Sequence, residues 1–166
     1  MAALALALVM GCSDGSDISE SSADDIGMPE SASPPPSGED GAVAAYLAMW
    51  EDAAAASWTS DVDHPRLDDH ATDDALALLK FVTEGHAADG HVAKGAPKHD
   101  VEIVESSAEH RELRDCMDSS DWLMYDSSGQ LVDDVPGSHR WVDAMVQLRS
   151  DGWLVADLVL HERATC

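Results

Sequence analysis

The last 28 residues of the chain, 139–166, alternate between apolar and polar positions in a way that is typical of a β-hairpin. Two β-type apolar runs, 141–148 and 153–160, flank the turn-forming segment 149–152, which ends in Gly152. The second run leads on to Cys166. We therefore expect the last strand to return beside its neighbour and to end on a cysteine.

A first helix is predicted over the alanine-rich stretch that begins near Val43. Apolar residues recur there at helical spacing as far as Trp58, and alanine favours helix over strand. Asp40 and Gly41 lie where a start signal belongs, because negative charge is favourable beside a helix N-terminus. The polar segment 57–61 is expected to end this helix.

A second long helix is predicted to begin after Thr72, an N-cap residue that two aspartates follow. Its apolar face repeats through 75–83, and Gly90 supplies the stop signal. Between the two helices, Pro65 follows His64 and predicts one further turn of helix with proline in its first position.

The period changes from helical to two residues after the loop at 94–97. Short strands are predicted at 101–104, 111–117 and 122–125, with a turn at 126–129 and a longer loop at 133–137. Helices followed by antiparallel strands predict an α+β domain over 43–166. In this fold class the N-terminal helices pack on one face of a curved antiparallel sheet.

Residues 1–11 are apolar and uncharged, and they stop at Cys12. This stretch is too short to span a membrane, but it has the length of a signal peptide's apolar core. Residues 9–12, Val-Met-Gly-Cys, resemble the lipobox of bacterial lipoproteins, which implies that 1–11 are removed and that Cys12 is acylated on its sulfur. A signal of this kind normally opens with basic residues, which are missing here, and this favours an upstream translation start. The alternative is a buried helix that opens the domain.

Residues 13–42 are rich in serine, proline, glycine and acid, without lysine or arginine. Such a segment cannot bury enough apolar surface to offset its ordering entropy, so we expect a disordered linker over 12–42. A flexible chain of about 30 residues has a root-mean-square reach of roughly 30 Å. Together with an acylated Cys12, this predicts a domain held away from the outer surface of a cell membrane.

The charge balance limits the choice of partners. The sequence has 33 acidic and 9 basic residues, a formal net charge of -24. This charge repels nucleic acid phosphates, so nucleic acid is a poor candidate partner. Solubility, or surroundings rich in cations, is the simpler explanation for the acidity.

Residues 94–97, the block 115–125 and the ending 151–166 resemble a group of secreted actinobacterial lipoproteins. Cys116, Trp122, Tyr125 and the terminal Cys166 are the strongest part of the resemblance, which covers 43–166. Those proteins are similar in predicted fold to the nuclear transport factor 2-like superfamily, a cone-shaped fold shared with ketosteroid isomerases and polyketide cyclases. The resemblance implies fold and export, but no particular reaction, because this fold supports enzymes, binding modules and dimerisation domains.

The sequence contains three cysteines. In an exported chain they divide into one for lipid, Cys12, and two for a disulfide, Cys116 with Cys166. This bond closes a loop of about 50 residues, which stabilises the fold by roughly 4 kcal/mol in the chain-entropy model. The alternative is a pair of buried thiols.

Eight histidines raise the question of a metal site. The histidine sets lack a recognised metal-binding spacing, so we expect them on helix surfaces and in loops. The acidic segment 126–134 does not match a calcium loop, and no motif predicts a cofactor. The candidate sets are His64 and His70 with Asp68 and Asp69, and His86 and His91 with His99.

A catalytic interpretation places Tyr46, Asp143 or His161 inside the cone, where a buried carboxylate with a raised pKa removes a proton. The simpler interpretation is a core tyrosine and a strand aspartate that faces solvent. Five tryptophans accompany one phenylalanine, and most are expected in the core. Two that lined a cavity would suit a flat apolar ligand, and the predicted lining is Tyr46, Trp50, Trp122 and Asp143.

We therefore expect an exported, acyl-anchored domain that binds a small apolar ligand or a protein partner and is not itself an enzyme. The alternative is a small-molecule isomerase or cyclase that uses an acid or a histidine inside the cone. A structural spacer with a filled interior is a third interpretation, and a homodimer is left open. An apolar cavity favours binding, an inward acid or histidine favours catalysis, and a packed interior favours interaction alone.

Overall fold

The computed structural model describes residues 39–132 and 137–166. The predicted signal segment, Cys12 and most of the predicted linker lie outside the described residues. The elements in chain order are α1 (Glu39–Ser57), α2 (Asp73–Asp89), β1 (Val92–Lys94), β2 (Val101–Ser106), β3 (His110–Asp118), β4 (Leu123–Tyr125), β5 (His139–Arg149) and β6 (Gly152–Leu160).

The main sheet has the strand order β2-β3-β5-β6, and each neighbouring pair is antiparallel. Successive side chains of a strand point to opposite faces, and on β3 the buried positions are Arg111, Leu113, Asp115 and Met117. These side chains form part of the inner face, on which both helices pack. The described chain is therefore α+β, with two helices on one face of an antiparallel sheet, as predicted.

The core fills the space between the helices and the inner face of the sheet. The buried apolar side chains come from both helices and from β3, β5 and β6. In the described part of the chain, no helix combines the length and the apolar character needed to cross a membrane. The largest apolar members of the core are Tyr46, Met49, Trp50, Leu67, Leu79, Leu113, Met117, Val142, Val146, Trp153, Val155 and Leu158.

α1 begins at Glu39, four residues before the predicted start at Val43. The burial of Ala42 explains the difference, because the packed face of the helix extends into the segment predicted as linker. The helix ends at Ser57, as predicted. The side chain of Trp58 is 61% exposed, so the apolar face of α1 does not reach it.

The predicted helical turn at Pro65 is wrong. The chain instead forms successive turns, in which the Leu67 N–H donates to the His64 carbonyl (3.0 Å) and the Asp69 N–H to the Arg66 carbonyl (3.2 Å). The Val155 N–H then donates to the His70 carbonyl at 2.9 Å. This loop follows the edge of the sheet at β6 and therefore cannot continue as a helix.

The boundaries of α2 agree with the prediction. Thr72 occupies the N-cap position, although its side chain makes no capping hydrogen bond, and Asp73 and Asp74 lie in the first turn. Gly90 ends the helix with a left-handed conformation (φ 69°), and its N–H donates to the Ala87 carbonyl at 3.1 Å. Glycine adopts this conformation without the steric cost that a Cβ imposes.

The short strand β1 is absent from the sequence-based prediction, which assigned its last residue, Lys94, to a loop. β1 pairs with β4 in a separate two-stranded sheet, with Val92 opposite Tyr125 and Lys94 opposite Leu123. The predicted third strand therefore exists but belongs to this second sheet. Three residues are too few to show a two-residue period, which explains the omission.

β5 and β6 form the predicted hairpin around Ser150 and Asp151. β6 ends at Leu160, so the last strand stops before Cys166, contrary to the prediction. Residues 161–166 run along the start of β5, where the Ala164 N–H donates to the His139 carbonyl at 2.7 Å. Cys166 is joined to Cys116 of β3 in a disulfide, with the two Cα atoms 5.8 Å apart.

We predict that the double variant Cys116→Ser, Cys166→Ser loses about 4 kcal/mol of unfolding free energy, because the bond closes a loop with a sequence separation of 50. Urea denaturation followed by tryptophan fluorescence measures the loss. The unmodified chain in a strong reductant is the control and should reach the same value. An unchanged midpoint in both samples would show that the two sulfurs are not bonded.

Gly95 lies at a close approach of two backbone segments. Its φ is +91°, and a Cβ added there would collide with the carbonyl oxygen of Asp121. We predict that Gly95→Ala costs roughly 3 kcal/mol of unfolding free energy or more, because a backbone segment must move. Gly129→Ala is the control: φ is +81° with open space around the added carbon, so a loss of about 1 kcal/mol is expected in the same urea assay.

Candidate functional site

Asp115 is a fully buried acid on β3. Its Oδ2 accepts hydrogen bonds from the Tyr46 hydroxyl (2.9 Å) and from His99 Nδ1 (2.6 Å), and its Oδ1 accepts one from the Asp100 N–H (2.8 Å). A buried carboxylate is tolerated only when such donors replace water. We call Tyr46, His99 and Asp115 the buried acid network.

The segment before β2 holds His99 over Asp115. The Lys98 N–H donates to the Asp118 carbonyl (2.9 Å), and the Cys116 N–H donates to the Asp100 carbonyl (3.1 Å). These bonds to β3 lie on either side of His99, so the imidazole faces the strand in a fixed register. The close approach at Gly95 begins the same segment.

The protonation states within the network follow from its geometry. Burial, and then the negative charge of Asp115, raise the pKa of Tyr46 well above its ordinary value, so the phenol remains a donor. His99 donates from Nδ1 to the carboxylate, which leaves Nε2 as the second ring nitrogen. The His99 side chain is 11% exposed and Asp115 is 0% exposed, so the imidazole is the route from the acid to solvent.

Trp50 separates this network from the space beneath α2. It lies one helical turn after Tyr46, and the two rings meet edge to face with centroids 6.3 Å apart. Its other neighbours are His99, stacked at 5.7 Å, and Trp122, edge-on at 6.1 Å. The Trp50 indole N–H has no hydrogen-bond partner among the described residues, but it lies near enough to the Tyr46 phenol to lower its pKa by a lesser amount.

An apolar cavity lies between α1, α2, Trp122 and β6, on the far side of Trp50 from Asp115. Its volume is about 80 Å³. An engineered cavity of about 150 Å³ binds benzene in another protein, so a ring enters this one only when side chains at its mouth move. The lining residues are Trp50, Ala53, Ser57, Leu78, Leu79, Val82, Thr83, His86, Trp122, Leu158 and Leu160.

Most polar groups in the cavity wall are engaged within the protein. The Trp122 indole N–H donates to Ser57 Oγ (3.1 Å), and the Ser57 hydroxyl donates to the Ala54 carbonyl (2.7 Å). The Thr83 hydroxyl donates to the Leu79 carbonyl at 2.8 Å. The unpartnered Trp50 N–H lies beside the Tyr46 phenol, so the wall is apolar toward a ligand apart from the imidazole of His86.

Of the four predicted cavity residues, Trp50 and Trp122 line the cavity, whereas Tyr46 and Asp143 do not. Tyr46 is buried but lies behind Trp50, in the network with Asp115, and does not line the cavity.

The tryptophans as a class are less buried than predicted: Trp50 and Trp153 are in the core, whereas Trp58 is exposed.

Asp143 and His161 do not face the interior, contrary to the cavity and catalytic interpretations. Val142 and Ala144 of β5 are buried, so the intervening Asp143 points to the outer face of the sheet. There Asp143 accepts hydrogen bonds from Arg114 Nε at 2.8 Å and from His161 Nε2 at 2.7 Å. Arg114 and, to a lesser extent, His161 lower the pKa of the Asp143 carboxyl.

The sequence analysis missed Asp115 as an inward-facing acid, although a signal for it exists. Leu113, Asp115 and Met117 alternate with exposed or half-buried residues along β3, so the period of the strand already points the aspartate inward. His99 gives no comparable signal, because it lies in an irregular segment between two strands. Only the tertiary register brings it to the acid.

The histidine sets that were considered as metal ligands do not form a cluster. Across residues 39–132 and 137–166, no group of three or more histidine, cysteine or acidic side chains converges as a metal site. His70 Nδ1 is 2.7 Å from the buried Asp52 carboxylate, and His99 is bound to Asp115. These two histidines support buried acids instead.

We predict that Asp115→Asn costs at least 3 kcal/mol of unfolding free energy, because the amide NH2 replaces one carboxylate oxygen and leaves at least one of the three buried donors without an acceptor. Asp143→Asn on the neighbouring strand is the matched control and should cost less than about 1 kcal/mol, since its ion pair is exposed. Chemical denaturation at neutral pH compares the two. Equal losses would show that the buried acid network does not hold the fold.

Comparison with known proteins identifies the fold. No protein-family model matches the sequence, and neither does any protein of curated function. A protein of Novosphingobium aromaticivorans, provisionally assigned as an aromatic ring hydroxylase, matches with a TM-score of 0.52 and 13% identity, over 75% of this chain and 90% of that one. Aln2 from a Streptomyces species matches with a TM-score of 0.50 and 10% identity, over 78% and 93%. The fold is nuclear transport factor 2-like, and identities this low carry no information on activity.

Proposed function

We propose that this protein binds a small apolar molecule, the size of a single ring, in the cavity beneath α2. The observation that carries the proposal is a partly open apolar space with two tryptophans, Trp50 and Trp122, in its wall. Binding sites for small molecules are typically concave and lined by apolar and aromatic side chains, with few polar groups.

The opening of the cavity lies between α2 and Trp122. Val82 and His86 lie one helical turn apart on this helix, and neither is fully buried. Rotamer changes of such side chains occur within nanoseconds and need no movement of the backbone. A ring therefore enters between α2 and Trp122, where its faces meet the aromatic wall.

The second candidate function is acid-base catalysis by the buried acid network. The observation that favours it is a histidine held by a buried carboxylate, an arrangement that fixes the orientation of the ring. All three donors already occupy Asp115, so the base would be Nε2 of His99 and not the carboxylate. Because Trp50 lies between His99 and the cavity, ligand binding without chemistry is the better-supported function.

Ligand binding is tested by filling the cavity. Toluene is titrated into the purified protein, and tryptophan fluorescence is recorded because Trp50 and Trp122 line the site. We predict saturable binding that Ala53→Leu abolishes, since the larger side chain occupies the cavity. Ala44→Leu, the same change at an exposed position of α1, should bind like the parent. Absence of saturation in the parent protein, with thermal melting that confirms folding, would refute the proposal.

We further propose that the domain works outside the cytoplasm, attached to a membrane through acylated Cys12. The lipobox-like residues before Cys12 and the acidic, proline-containing linker support this location. The Cys116–Cys166 disulfide is compatible with an oxidising compartment.

We predict that Cys12→Ser moves the protein from the membrane fraction to the soluble fraction of expressing bacteria, because the acyl chains are its attachment. Intact mass spectrometry of the unmodified protein should show the added acyl groups on the fragment that contains Cys12. Cys116→Ser serves as the control cysteine change and should leave the protein in the membrane fraction. An unmodified Cys12, or a soluble parent protein, would contradict the anchor.

A further inference from the structure

Two polar groups in the cavity wall have no hydrogen-bond partner among the described residues, the indole N–H of Trp50 and the imidazole of His86. The Trp50 N–H lies beside the Tyr46 phenol, on the side of the buried acid network, so the imidazole of His86 is the group that remains available to a ligand. The hydroxyls of Ser57 and Thr83 and the indole N–H of Trp122 are committed to partners in the protein. Within the described ranges, the imidazole of His86 makes no hydrogen bond or ion pair. A polar atom of a bound ligand would therefore meet His86.

The ionisation of His86 suits an uncharged ligand. Burial, and then the nearby His91, lower the pKa of the imidazole below its ordinary value, and Asp89 opposes them to a smaller extent. The ring is consequently neutral at pH 7, with one nitrogen that donates and one that accepts. No partner among the described residues fixes which nitrogen carries the proton.

The rest of the wall disfavours a charged ligand. The lining residues include no aspartate, glutamate, lysine or arginine. A buried charge without a partner costs far more free energy than a buried hydroxyl that has one. The formal net charge of -24 also repels anions before they reach the cavity.

Building on the proposed function, we infer that the ligand is a small, uncharged ring compound with one hydroxyl group, which hydrogen-bonds to His86 while the ring lies against Trp50 and Trp122. A hydroxyl both donates and accepts, so it pairs with either tautomer of the imidazole. A carbonyl accepts only and needs the ring N–H to point at it. Phenol is the smallest aromatic member of this class.

Phenol and toluene differ by one polar group and are nearly equal in size, which makes them the probes of choice. Without a partner in the cavity, the phenol hydroxyl would lose its hydrogen bonds to water, and toluene would bind more tightly. With His86 as partner, we expect phenol to bind about tenfold more tightly than toluene. Benzoate, which carries a charge, should not bind detectably.

The experiment is isothermal titration of the full chain with phenol, toluene and benzoate at pH 7.5. We expect His86→Leu to remove the preference for phenol and to leave the affinity for toluene unchanged. His91→Leu is the matched control, since His91 is outside the cavity wall, and should keep the preference. His86→Gln, whose amide both donates and accepts, should retain part of it and decides the case if the leucine variant does not fold.

The outcomes separate this inference from the proposed function. If toluene binds the parent chain at least as tightly as phenol, or if His86→Leu keeps the phenol preference, the hydroxyl assignment is wrong and apolar binding stands. If neither ring binds, the proposed function fails as well. Tight binding of benzoate would overturn the argument from charge.

Discussion

The structure depends on one buried carboxylate. Asp115 has no contact with solvent, yet it accepts hydrogen bonds from a helix, from a histidine and from a backbone N–H. These donors fix two parts of the chain against β3, helix α1 and the segment before β2, because the loss of any one leaves a buried charge short of its partners. The position of Tyr46 on α1 determines where Trp50 lies one turn later, and Trp50 forms a wall of the cavity.

A second buried acid holds the same helix from the other side. Asp52 of α1 is 1% exposed, and His70 Nδ1 lies 2.7 Å from its Oδ2. Arg66 approaches Oδ1 to 2.5 Å, as an ion pair without aligned hydrogen-bond geometry. These contacts tie the loop between the helices to α1. α1 is therefore fixed by an acid of its own and by an acid of the sheet, whereas α2 packs through apolar contacts alone on the cavity side.

Several parts of the fold were readable from the sequence because they are local. The hairpin of β5 and β6, the end of α1 at Ser57 and the stop at Gly90 each follow from period or turn chemistry within a few residues. The five tryptophans beside one phenylalanine predict an aromatic wall for any cavity. His99 and Asp115 were not paired, since they lie 16 residues apart in an irregular segment and a strand, and only the strand register joins them. The apolar neighbours of Asp143 predict the strand correctly but do not say which face of the sheet its side chain occupies. The prediction that Asp143 lines the cavity is wrong for this reason.

These contacts support an account in which two buried acids hold α1 rigidly, and the apolar contacts of α2 leave a small space that a ring can enter. The most direct test is a crystal structure of the protein soaked in bromobenzene, with anomalous scattering recorded at the bromine edge. The account predicts one strong bromine peak between Trp50 and Trp122, under α2 and on the side of Trp50 away from Asp115. A structure with no bromine in that space at saturating concentration, or with bromine bound only on the outer face of the sheet, would contradict it.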